Sequence, residues 1–130
     1  MRPDVAAWIK RAEEDLFTAE ALIGFKKPAP WIICFHAQQA AEKFLKAFLI
    51  HHYRPVSKTH DLKALILECS KIDPSFKDLL KEEVDRLAEY AVETRYPGLF
   101  EPDIEEAREA IELASKVREF VLERLKGRSP

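Results

Sequence analysis

One stretch does most to limit how this chain can fold: WIICFHAQQAAEKFLKAFLIHHY, from Trp31 to Tyr53. At roughly 100° per residue on a helix, Ile33, Cys34, Ala37, Ala40, Ala41, Phe44, Leu45, Ala47 and Phe48 share one half. His36, Gln38, Gln39, Glu42, Lys43 and Lys46 share the other. An apolar face that wide touches more than one neighbour, which makes this the central helix of a bundle. The polar half is interrupted by Ile32, Phe35, Leu49 and Ile50. Large apolar groups are not left together on a solvated face, so another helix of the chain or a second subunit covers them.

Around that helix the chain is cleanly punctuated. Pro3 and Asp4 open a first helix that runs to about Ile23, with Val5, Ile9, Ala12, Leu16, Ala19 and Ile23 as its stripe. GFKKPAP breaks it, and YRPVSKT breaks the central helix. A short third helix covers about His60 to Lys71, with Thr59 as its candidate N-cap. Asp73 and Pro74 start a fourth, expected to run to about Glu93 with Phe76, Leu80, Val84, Leu87 and Ala91 inside. RYPGLFEP ends it. Asp103 and Glu106 have capping-box spacing, and the fifth helix runs to about Lys126. No segment alternates with period two. The expectation is one all-α domain over residues 1–130: an up-and-down bundle of four long helices plus one short helix.

Composition excludes several classes. A net charge of −2 argues against a broad DNA-binding surface. The central stretch carries too many charges and amides to cross a bilayer. Charged residues from Asp4 to Asp15 leave no room for a secretory leader, so a cytoplasmic location is expected. Cys34 and Cys69 fall on apolar helix faces and read as buried free thiols. The absence of asparagine, with abundant Glu, Lys and Arg, leans toward a thermophile source.

Few residues point to chemistry. His51 and His52 face different ways and lack the helical zinc spacing; favourable placement beside a helix C-terminus is the simpler reading. Gly-rich phosphate loops, a nucleophile elbow and Cys/His zinc spacings are absent, so neither a metal nor a cofactor is expected. The loop after the central helix brings Arg54, Lys58 and His60 together in sequence. His60 has the chemistry of a general acid or base, and Arg54 and Lys58 that of phosphate ligands. Alternatively His60 is only a polar first-turn residue beside Asp61. Arg95 could hold a phosphate while Tyr96 stacks a base; in the plainer reading Tyr96 packs the loop and Arg95 pairs with a helix-end carbonyl or with Glu93. His36 and Lys43, on the interrupted polar half, are further candidates for a ligand or subunit surface.

Four blocks carry a family likeness: WIKRAEEDLFTAEAL, FHAQQAAEKFLKAFLI, KTHDL and TRYP, in that order. Together they resemble the HEPN domain family, over nearly the whole chain. The resemblance implies a helical bundle, often a homodimer. It also implies nucleotide or RNA binding, and partnership with a minimal nucleotidyltransferase in toxin–antitoxin modules. Several HEPN branches are metal-independent endoribonucleases using an arginine followed a few residues later by a histidine. Arg95 matches the TRYP arginine, but no histidine follows it in YPGLFEPD. Arg54 and His60 meet the spacing in a different loop. The expected function is therefore a nucleotide- or RNA-binding module with a nucleotidyltransferase partner. The alternatives are an endoribonuclease toxin using His60 with Arg54 or Arg95, and a structural dimerisation or adaptor domain.

Overall fold

A computed structural model of the chain describes residues 1–56, 58–89 and 101–126. Every regular element among the described residues is helical. Helix α1 spans Pro3–Ile23, α2 Pro30–His51, α3 Leu62–Ser70, α4 Asp78–Lys81 and α5 Ile104–Leu125. Short 3-10 turns at Pro74–Lys77 and Val84–Arg86 flank α4.

Helix α2 is the axis of the bundle, as its wide apolar face requires, and packs mainly against α1 and α5. Alanines line these contacts: Ala12 and Ala19 on α1, Ala37, Ala40, Ala41 and Ala47 on α2, Ala107, Ala110 and Ala114 on α5, all with no exposed surface. Small side chains let helix backbones approach closely, and Phe44, Phe48, Ile33 and Leu45 fill the space between. Arg2, just before α1, reaches the carbonyls of Ile50 and His51 at the end of α2, so these two helices are antiparallel. Helix α5 runs the other way. Cys34, near the start of α2, feels the charges of Glu106 and Asp103 at the start of α5. His52, just past α2, shares a cleft with Glu123 and Arg124 near the end of α5. The long connection through α3 and α4 permits this parallel pairing, which a short loop would not.

Two ends were placed differently by the sequence pattern. Helix α2 stops at His51, because Tyr53 takes a left-handed φ of 61°. The Tyr53 N–H then bonds the Ile50 carbonyl at 2.9 Å, and the Arg54 N–H bonds the Leu49 carbonyl at 3.0 Å. That closes the helix without glycine. Arg2 stacks on the Tyr53 ring 4.1 Å from its centroid and helps hold the turn. Helix α3 starts at Leu62 with Asp61, not Thr59, as its cap, since Asp61 accepts from the N–H groups of both Lys63 and Ala64. His60 is thereby left outside the helix.

The fourth helix is broken. Phe76, Leu79, Val84 and Leu87 are the buried residues there, while Leu80 is only partly covered. Val84 lies five positions after Leu79, a step that one straight helix would turn away from the core. Glu83, at φ 62°, absorbs the mismatch. Ala91 and Glu93 lie outside the described residues. The capping box of Asp103 and Glu106 forms as expected, with both reciprocal bonds in place at 2.8 and 3.1 Å. None of the helices among the described residues is long and apolar enough to cross a membrane.

Candidate functional site

The polar half of α2 is not solvated. Gln38, Glu42 and Lys46 are buried at 1%, 3% and 5% exposure, and Leu49 and Ile50 are buried beside them. The chain itself supplies the cover that Leu49 and Ile50 demanded. Burying a carboxylate and an ammonium is costly unless they are paired and hydrogen-bonded, and here they are. Glu42 Oε2 accepts from Lys46 Nζ at 3.1 Å, and its Oε1 accepts from Gln38 Nε2 at 3.1 Å. Gln39 in turn donates to Gln38 at 3.0 Å. The spacing of Glu42 and Lys46, four apart on one helix, makes their meeting a local event.

The last partner comes from another element. His60 Nδ1 lies 2.9 Å from Glu42 Oε2. Asp61, the cap of α3, is extended, and His60 just before it sets its ring against Glu42 of α2. Burial alone would raise the Glu42 pKa, but bonds from His60, Lys46 and Gln38, with the charge of Lys46, hold it below its ordinary value. An ionised carboxylate only accepts, so Nδ1 carries the proton and donates. His60 Nε2 is left as the free nitrogen, on a side chain 70% exposed. A carboxylate that fixes the tautomer and orientation of an exposed imidazole prepares it to take or give a proton, or to bond a ligand.

The other sequence candidates scatter. His36 and Lys43 do converge, on Asp15 of α1: His36 Nδ1 stands 2.9 Å from Oδ1, and Lys43 bonds Oδ2. They tie α1 to α2 at the edge of a cleft that Lys43 and Asp15 line with Ala7, Lys10, Arg11 and Glu14. Arg54 lines a separate hollow with Leu49, Pro55, Val56, Glu68 and Lys71; His60 is not part of it. Lys58 is exposed. Arg95 and Tyr96 lie outside the described residues. Among the described residues no cluster of His, Cys, Asp and Glu could hold a metal ion. Sequence reasoning missed Glu42, Lys46 and Gln38. Their signal was present: Leu49 and Ile50 shared their half of the helix, so whatever covered those residues would cover Glu42 and Lys46 too.

The family model of the HEPN domain matches residues 5–125. The chain belongs to the HEPN domain family. HEPN domains are a nucleotide- and RNA-related module family, and on the central helix of this one Glu42 holds His60 from the loop before α3. Among solved structures the chain is similar to TT1696 from Thermus thermophilus, at 29% identity and a TM-score of 0.79. The likeness covers 94% of this chain and 98% of that one. No curated protein matches.

Proposed function

We propose that this HEPN domain is a nucleotide- or RNA-binding module whose contact point is His60, acting with a minimal nucleotidyltransferase partner in a toxin–antitoxin-like system. The observation that carries this reading is the buried Glu42 carboxylate that orients an exposed imidazole. A chain gains little stability from burying Glu42 and Lys46 as ions, since well-packed apolar residues would do as well. Their use beneath an exposed histidine fits a site that needs that histidine held. Homodimerisation, as the family likeness implies, would place two such sites in one assembly.

The test is equilibrium binding of a fluorescent single-stranded RNA to wild type and His60→Ala. Loss of one charge-assisted hydrogen bond weakens binding by about tenfold. Unchanged affinity in His60→Ala would remove His60 from the site. Copurification with a co-expressed minimal nucleotidyltransferase at fixed stoichiometry tests the partner; none at micromolar concentration would contradict it.

The second reading, a metal-independent endoribonuclease, is favoured by the same pair, since a base at Nε2 is what abstraction of a ribose 2′-hydroxyl proton requires. It further needs an arginine at the phosphate, and Arg54 lines a different hollow. Cleavage by wild type in chelator that is abolished in His60→Ala would establish it.

A further inference from the structure

Beside the Glu42–His60 pair runs a groove between α1 and α2. It consists of two adjoining hollows of about 320 and 450 Å³, which share Ala7, Arg11 and Lys43. The first also holds the half-buried Trp8 ring, and the second Lys10. Trp8 links the groove to the pair, because Lys46 Nζ, bonded to Glu42, lies 6.0 Å from the centroid of its ring.

The charges in the groove do not cancel. Lys10, Arg11 and Lys43 face Glu14 and Asp15, and Asp15 is already shared by Lys43 and His36. Arg11 stands three residues and Lys10 four residues before Glu14, spacings that permit pairing along a helix. Neither pair forms, and Lys10 and Arg11 have no ionic partner among the described residues. An indole wall with two unpaired cations beside it suits a flat ring carrying phosphate. A hollow of this size suits a ligand of one or two rings.

We propose that this groove is a nucleoside-phosphate subsite: the base stacks on Trp8 and the phosphate meets Arg11 and Lys10. The ligand reaches from there toward His60. This rests on the nucleotide- and RNA-related reading above and adds a second, separable set of contacts to it. A free nucleotide and a residue of single-stranded RNA present the same chemistry.

The experiment uses the full chain carrying Trp31→Phe, so that Trp8 is the one emitting tryptophan. Its fluorescence is titrated with ADP, with a short single-stranded RNA and with inorganic phosphate. Saturable quenching by ADP identifies a free nucleotide as ligand, quenching by RNA alone identifies the polymer, and either supports the subsite. Arg11→Gln, an exposed change, is expected to weaken that binding by about tenfold at unaltered melting temperature. Phosphate that quenches as strongly as ADP overturns the stacking of a base on Trp8. RNA binding that depends on His60, with Trp8 silent and Arg11→Gln without effect, overturns the groove while leaving the wider reading intact. No binding of either ligand by fluorescence or anisotropy sinks both.

Discussion

His60 reaches the buried Glu42 carboxylate through Nδ1 at 2.9 Å, and this one bond joins the loop before α3 to the middle of α2. It makes an exposed imidazole depend on a buried ion. Glu42 stays ionised because Lys46, Gln38 and His60 together outweigh the cost of its burial. Breaking the site therefore also costs stability, and its parts can be separated by mutation.

Removing one member of a buried ion pair strands the other. Glu42→Gln leaves the Lys46 ammonium without its counter-charge, which costs about 3 kcal/mol. Glu42→Gln combined with Lys46→Met removes the stranded charge and is expected to recover most of the loss. Urea unfolding at neutral pH measures both. A double variant less stable than Glu42→Gln would show that Lys46 is held by something other than Glu42.

Acid should loosen this protein through the same group. The pKa of Glu42 is lower in the fold than its ordinary 4.5, so folding favours its ionised form. Its contribution is complete above that ordinary value and disappears as the pH falls through the lower, folded value. Asp73, held down against its partial burial by Ser75 and Arg124, acts in the same direction. Unfolding free energy of the wild type should fall below about pH 5 more steeply than that of Glu42→Gln with Lys46→Met. Parallel curves would contradict the role given to Glu42.

Both cysteines should be inert in the folded protein. Cys34 and Cys69 have no exposed surface, and burial, aided by nearby carboxylates, pushes the Cys34 thiol up to about 12 and the Cys69 thiol higher. Thiol labelling in native buffer should proceed only as fast as the protein opens. Rapid labelling of either residue would show a looser core than the one described.

Arg124 should not tolerate lysine. Its guanidinium donates to Asp73 at 3.0 Å and to Ser75 Oγ at 2.9 Å, and lies 3.4 Å from the Phe120 ring centroid. A lysine cannot make the planar fork and stack together, so Arg124→Lys should cost about 1 kcal/mol in thermal or urea unfolding. No change would reduce the cluster to an incidental surface contact.

The helices were legible because their stripes and stops are local properties: Val5 to Ile23 on α1, Ile104 to Leu125 on α5, and the prolines between. The parallel run of α5 beside α2 was not, because nothing in either helix records the route taken between them. The break at Glu83 was hidden for a related reason. The period from Phe76 to Leu87 tolerates a straight helix until tertiary packing chooses Leu79 over Leu80. For the site, His60 could be singled out by its chemistry, but its partner could not. Glu42 and Lys46 look like solvated charges until the loop folds over them. His36 and Lys43 looked like ligand-binding groups, yet they meet Asp15 from a helix read only as apolar stripe and solvent.

The most direct test of the central claim is nitrogen–proton NMR of the four histidine rings, recorded while a short single-stranded RNA is added. The free protein should show His60 protonated at Nδ1, with that nitrogen shifted by the Glu42 bond. On addition of RNA, His60 Nε2 should move first and most, while His51 and His52 at the end of α2 stay in place. A His60 ring that keeps its signals while RNA binds elsewhere, or that carries its proton at Nε2 in the free protein, would contradict the account.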